Sequence, residues 1–272
     1  MARSPSDRLY QVVVGLLACC ALAILVGPVI VALLTSFTAS ASLKFPPPAL
    51  SLRWYVALID PVQSGHIHRA ALNSVIVALV ATSVSVCIAV PAALSLRRMK
   101  PRSAALLDTL FMSPMVLPLL AYGLATLIFF SWISFRPSLL TMIVGHTIVV
   151  IPLVLRTTTA SLAQLDPALW ESSESLGASH WFTFRRVTAP LIAPGVAAGA
   201  FLAFVLSFDN VPVSLFLSSV RTDMLPVRMW GMMESSLDVR VAAISGTLIV
   251  VTLVSTLVME RLIGISRRLG AS

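Results

Sequence analysis

Six long apolar stretches, at roughly 11–35, 72–96, 106–131, 139–160, 192–218 and 241–263, constrain this chain more than any motif in it. A hydrocarbon core ~30 Å thick is crossed by ~20 helical residues. Backbone in lipid must satisfy its own hydrogen bonds, so stretches of this length span as helices. The pattern predicts an all-α polytopic membrane protein with six transmembrane helices. Composition agrees, because only 11% of residues are charged, against ~25% in soluble domains. Arg3 and Arg8 before the first stretch, with Ala39-Ser40-Ala41 after it, imitate a signal peptide. The apolar run of ~24 residues exceeds the ~7–15 of a signal core, so an uncleaved first span is expected.

The 19 basic residues outnumber the 11 acidic ones, giving +8. In a soluble protein that excess would suggest nucleic acid. Here the basic residues fall between the apolar stretches and set topology instead. With the N-terminus inside, 12 Lys and Arg lie in inner segments and 7 in outer ones, and "RRMKPR" at 97–102 is the densest group. Both termini are then expected in the cytoplasm. The expected division is a tip and first span at 1–36, a periplasmic loop at 37–71, a five-helix core at 72–264 with an inner loop at 161–191, and a tail at 265–272. Within the outer segment 219–240, Pro226 suits the first turn of a short helix. Val227, Trp230 and Met233 would form its apolar stripe.

Cys19, Cys20 and Cys87 lie in apolar runs and are expected to be small buried hydrophobes. His66 and His68 are expected in a solvated loop, with no metal site. There is no Gly-rich phosphate loop, no H-E-x-x-H pair and no nucleophile elbow, so neither a catalytic residue nor a cofactor is expected in this chain. No internal repeat argues for a stand-alone secondary transporter.

The inner loop reads "LAQLDPALWESSESLGASHWFTFRRVTAPLIAPG". Asp166 is a good N-cap and Pro167 a good first helical residue. The helix should run through Leu176 to a left-handed stop at Gly177, and Ser179 should cap a second helix leading toward Pro190. Leu169, Ser172, Ser173 and Leu176 would share one shallow face. Glu171 and Glu174, three apart, would be neighbours. Two readings fit: a solvated connector whose carboxylates balance Arg185 and Arg186, or a docking element for a soluble partner.

The segment "ESSESLGASHWFTFRRVTAPLIAP" resembles the EAA loop of bacterial ABC-importer permeases through Glu171, Ser172, Ser173, Gly177 and Pro190, with Ser in place of Ala at both small positions. "FPPPALSLRWYVALI", "LNSVIVALVAT", "AFVLSFDNVPVSLFL" and "LPVRMWGMMES" are similar to the spermidine/putrescine-type branch. The resemblance implies a type I importer permease fold, with the first span outside a five-helix core. It implies residence in a bacterial inner membrane and coupling through Glu171, Ser172, Ser173, Glu174, Gly177 and Pro190. The implied partners are two cytoplasmic ATP-binding subunits that carry ATP hydrolysis, a second permease in a heterodimer, and a periplasmic solute-binding protein. The implied cargo is a polyamine or similar organic cation. Opines, phosphonates and amino-acid derivatives are the alternatives, and a stand-alone secondary transporter is a more distant one.

Asp209 lies inside the fifth stretch, where an ionisable residue is costly and a default functional candidate. On a continuous helix it would sit ~24 Å from residue 193, at 1.5 Å per residue. Pro212 cannot donate to the Phe208 carbonyl. Asp209, Asn210 and that carbonyl could together receive an ammonium group. Asp209 could equally be pinned by a partner permease or belong to a gate. Tyr122 is a further path candidate. His146, Trp132 and Asn73 are read mainly as packing or interhelical bonding. Gly195, Gly199, Ala203 and Ser207, four apart, form a ridge for close helix approach. Asp108 is expected at the start of the third span, with Pro114 and Pro118 kinking it.

Overall fold

The structure is a computed structural model, and it describes residues 5–219 and 221–263. Arg3, Arg267, Arg268 and the tail 265–272, used above for orientation, lie outside the described residues, as does the side chain of Arg8. The described chain is helical, with one isolated bridge between Thr38 and Leu50. Its helices are α1 (Pro5–Ser36), α2 (Arg53–Ile59), α3 (Pro61–Arg98), α4 (Pro101–Val116), α5 (Leu119–Trp132), α6 (Leu139–Ala163), α7 (Ala168–Ser175), α8 (His180–Thr183), α9 (Ala189–Phe208), α10 (Val211–Leu217), α11 (Leu225–Ser236) and α12 (Arg240–Ile263), with a π turn over Phe184–Thr188.

Five continuous helices are long and apolar enough to cross a membrane: α1, α3, α6, the run His180–Phe208 and α12. The sixth expected span is α4 and α5 together, and these are bent by 102°. Pro118 causes the break, because a residue before proline is pushed out of the helical region. Leu117 accordingly sits at ψ 137°. The kinked third span is therefore corrected to two helices, and Pro114 lies within α4 without ending it. Asp108 is not at a helix start, because α4 begins at Pro101. Its carboxylate pairs instead with Arg156 of α6 at 3.2 Å.

Two more expectations change. His66 and His68 are helical, since α3 starts at Pro61, well before the apolar run. Asp60 starts it: its Oδ1 accepts from the Val62 N–H at 2.9 Å. The three cysteines are exposed on their helices, not buried. In stretches that face lipid, an apolar side chain needs no protein cover.

The chain divides into two compact units. One comprises residues 1–65 and 231–256. There the Tyr55 hydroxyl of α2 lies 2.7 Å from Ser36 Oγ at the end of α1. A Cβ on Gly246 of α12 would meet Ser36 Oγ at 2.7 Å, so α12 can approach this pair only as glycine. Arg240 grips Asp238 through several N–H groups and donates to the Gln63 carbonyl at 2.9 Å. That carbonyl adjoins Ser64, where α3 leaves helical geometry.

The other unit holds residues 66–230 and, among the described residues, 257–263. One apolar cluster joins α3, α6 and α9 through Ala89, Ala93, Val150, Val154, Leu155, Leu162, Ile192 and Ala203. A second joins α5, α6 and α10 through Phe130, Met142, Val149, Val213 and Leu217. The ridge expected on α9 packs on α6. A Cβ on Gly195 would meet the Thr157 carbonyl at 3.0 Å, and one on Gly199 would meet Val154 Cα at 3.1 Å. α11 forms with Pro226 in its first turn. On it Val227 turns partly inward, while Trp230 and Met233 are exposed.

Candidate functional site

The loop between α6 and α9 folds as its capping residues direct. Asp166 Oδ1 accepts from the Ala168 N–H at 2.9 Å, and Pro167 already has helical angles (φ −51°, ψ −34°). α7 ends in a Schellman motif. The Ala178 N–H donates to the Ser173 carbonyl at 3.1 Å and the Gly177 N–H to the Glu174 carbonyl at 2.9 Å. Gly177 takes the left-handed conformation this closure requires, at φ +74°,. Ser179 Oγ accepts from the Phe182 N–H at 3.3 Å and starts α8.

α8 passes through the π turn into α9, so the second loop helix and the fifth span are one continuous rod. Pro190 accounts for the π turn. It has no N–H, and its ring crowds the carbonyl four residues back. Widening the preceding turn relieves that conflict, and the Ala189 N–H bonds to the Phe184 carbonyl five residues back,.

Ser172 and Ser173 of α7 part company. Ser173 faces inward, its Oγ 2.7 Å from Thr183 Oγ1. Ser172 is exposed with Leu169 and with Leu176, the last 87% exposed. Trp181 and Phe182 on α8 are 67% and 54% exposed. The loop thus presents apolar side chains to the outside while its backbone is closed by caps. Glu171 and Glu174 face a cavity of about 450 Å³ bounded by Leu94, Arg97 and Arg98 at the end of α3 and by Trp170. Glu174 Oε1 lies 3.6 Å from His180 Nδ1.

The fifth stretch is not one helix. α9 ends at Phe208, Asp209 is its C-cap, and Asn210 caps α10 by accepting from the Val213 N–H at 3.0 Å. Pro212 lies in the first turn of α10, where a missing N–H costs nothing. The continuous helix assumed for Asp209 is corrected to a break at Asp209-Asn210. The Asp209 side chain is exposed, and among the described residues its carboxylate makes no ion pair or hydrogen bond. Asn210 is 3% exposed, and its Nδ2 has no partner among the described residues.

His146 holds the break in place. Buried on α6, it sets Nδ1 2.9 Å from Ser207 Oγ of α9 and Nε2 3.2 Å from Ser214 Oγ of α10. Tyr122 donates to the Gly145 carbonyl at 3.0 Å, which commits its hydroxyl to bracing α5 on α6. Asn73 donates to the Asp223 carbonyl at 3.0 Å, and Trp132 is exposed. The residues that sequence reasoning missed are Arg97, read only as a topology charge, and the serines on either side of the break that hold His146.

Residues 85–265 match the family model described as "Binding-protein-dependent transport system inner membrane component". The spermidine/putrescine transport system permease protein PotC of Escherichia coli (strain K12) is 25% identical over 233 residues, which cover 86% of this chain and 87% of that one. The putative 2-aminoethylphosphonate transport system permease protein PhnV of Salmonella typhi is 25% identical over 232 residues, covering 82% and 87%. A solved bacterial alginate ABC transporter, in complex with an alginate pentasaccharide-bound periplasmic protein, has a chain that superposes with a TM-score of 0.70 at 17% identity, covering 98% of this chain and 97% of that one.

Proposed function

This chain belongs to the binding-protein-dependent transport system inner membrane components, and from that membership we propose that α7 is the element through which separate ATP-binding subunits drive it. The chain is a multi-pass membrane protein and the permease subunit of an ABC importer. The proposed assembly has two ATP-binding subunits that carry the hydrolysis, a second permease forming a heterodimer, and a periplasmic solute-binding protein, in a bacterial inner membrane with both termini cytoplasmic. The observation that carries the docking role is the Schellman-closed α7 with Leu169, Ser172 and Leu176 turned outward beside Trp181 and Phe182. Apolar side chains left exposed on a rigid, capped element favour a protein partner.

Leu176→Glu tests this reading. Leu176 is 87% exposed, so the substitution should leave membrane insertion and folding intact. Co-purification of the ATP-binding subunit should fall at least about tenfold, the effect of losing ~1.4 kcal/mol at an interface. Wild-type recovery of that subunit would remove α7 from the interface.

The cargo we propose is a small solute with a protonated amine, a polyamine in the first instance. The solutes named for both relatives contain amino groups, and Asp209 offers an unpaired carboxylate at a helix break. A carboxylate in an apolar setting attracts such a cation strongly. Asp209→Asn should lower spermidine uptake in inside-out-controlled vesicles about tenfold. Unchanged uptake, with unchanged stimulated ATP hydrolysis, would take Asp209 off the path. 2-Aminoethylphosphonate is the second cargo to assay, since it shares the ammonium group.

A further inference from the structure

We propose that Arg97 transmits movement of the loop helix to the membrane spans, acting as a strut between α7 and the adjoining ends of α3 and α6. The inference rests on the reading that α7 docks on an ATP-binding subunit.

Arg97 lies in the last turn of α3. Its Nη1 donates to the Leu162 carbonyl, near the C-terminal end of α6, at 2.9 Å. The Leu165 N–H also donates to that carbonyl, at 3.2 Å, and the negative end of the helix dipole favours a cation there. The guanidinium carbon of the same residue stands 3.9 Å from the centroid of the Trp170 ring. Trp170, on α7, packs in turn against the apolar cluster that joins α3, α6 and α9. One planar group therefore links its own helix α3 to both α6 and α7.

What surrounds this contact gives it mechanical weight. Beside it, between α7 and the end of α3, lies the cavity of about 450 Å³ lined by Leu94, Arg98, Glu171 and Glu174. Within the cavity no apolar side chain fills the space, so beside Trp170 the direct link from α7 to α3 is the Arg97 guanidinium. α7 has a second attachment, the Ser173–Thr183 hydroxyl pair, but that leads to α8. A push on α7 thus reaches α9 through the continuous rod, and reaches the ends of α3 and α6 through Trp170 and the Arg97 guanidinium stacked on its ring. Lysine cannot replace arginine in this position, since an ammonium has no plane with which to stack while donating sideways.

The experiment is pulsed electron–electron distance measurement between spin labels at Ser83 on α3 and Ser175 on α7. Both positions are exposed. Cys19, Cys20 and Cys87 are replaced by alanine, and the permease is assembled with its ATP-binding subunits in liposomes. Nucleotide-free and ATP–vanadate-trapped states are compared. In the parent the two labels should move as one body, their distance holding within about 2 Å. In Arg97→Ala the distance should shift by about 5 Å, the size of a helix slipping by a turn. Arg97→Lys and Trp170→Leu should behave like Arg97→Ala, whereas Trp170→Phe, which keeps an aromatic platform, should behave like the parent. Basal ATP hydrolysis in Arg97→Ala and Arg97→Lys should stay within about twofold, because Arg97 lies on α3 and not on α7.

A constant label distance in Arg97→Ala would overturn the proposal. So would loss of the ATP-binding subunits from Arg97→Ala, which would make Arg97 a support for the fold of the loop alone. Failure of the parent permease to bind those subunits would instead overturn the docking reading itself.

Discussion

Gly177→Asp should abolish solute uptake while the protein still inserts, folds and purifies normally. The reason lies in two separate properties of Gly177. Its φ of +74° belongs to the region that L residues seldom adopt, with a cost of ~1–3 kcal/mol for most side chains. Yet a Cβ built there meets nothing within 4 Å, so no core is disturbed. Aspartate is among the residues that tolerate this conformation best, which keeps the Schellman closure within reach. What it adds is a negative charge at the C-terminal end of α7, where the helix dipole is already negative and Glu174 is near. The added charge projects from a loop whose exposed neighbours are Leu176 and Trp181, and a desolvated interface would have to bury it. Gly177→Asn separates the effects, since asparagine caps helices in the same conformation without charge. Uptake should fall at least about tenfold in the aspartate variant and at most about threefold in the asparagine one. Both are checked by vesicle uptake beside recovery of the ATP-binding subunit. Normal uptake by the aspartate variant would show that this turn is not at the interface.

The loop was the most legible part of the chain because its instructions are local. Asp166-Pro167, Gly177 and Ser179 each act within four residues, and the structure places each cap where those residues call for it. The same Asp-Pro signal stands at Asp60-Pro61, and it too starts a helix. There the signal was masked, because residues 61–71 mix polar and apolar side chains and the continuous apolar run begins only afterwards. Hydropathy reports where lipid lies; it does not report where a helix begins.

The break at Asp209-Asn210 was hidden for the opposite reason. Apolar residues continue through both α9 and α10, so the pattern reads as one span. The local cue was present all the same: Asn210 followed by Pro212 is a cap followed by a first-turn proline. The clamp on that break was beyond sequence reasoning, because His146 meets Ser207 and Ser214 across 61 and 68 residues of chain. Arg97 was misjudged for a related reason. A basic residue at the end of a span is explained well enough by topology, and nothing near it in sequence announces Trp170. Ser173 shows the limit of helix geometry: an isolated α7 assigns it to the outward face, and only the position of Thr183 turns it inward.

The glycine ridge, by contrast, carries a sharp consequence for stability, and Gly199→Leu should be strongly damaging. A Cβ at Gly199 would meet Val154 Cα at 3.1 Å and Thr157 Cβ at 3.2 Å, both on α6. The first is backbone and cannot rotate away. The second belongs to a side chain already bonded to the Leu153 and Val154 carbonyls. Relief therefore requires α9 to move off α6, which opens the cluster of Val154, Leu155, Ile192 and Ala203. In lipid no hydrophobic drive restores that contact, since association of inserted helices depends on close packing itself. The helices should still insert, but their packing should weaken by about 3 kcal/mol, lowering the melting temperature in detergent by roughly 6–12 °C. Gly199→Ala should fall between, because its Cβ already overlaps Thr157 Oγ1 and displaces that side chain, but adds no bulk beyond Cβ. Gly27→Leu supplies the control: on α1 an added Cβ meets nothing within 4 Å, and leucine there should be neutral or slightly favourable to the helix. Thermal unfolding followed by size-exclusion recovery distinguishes the three. A Gly199→Leu protein that melts with the parent would mean that α6 and α9 do not pack along this ridge.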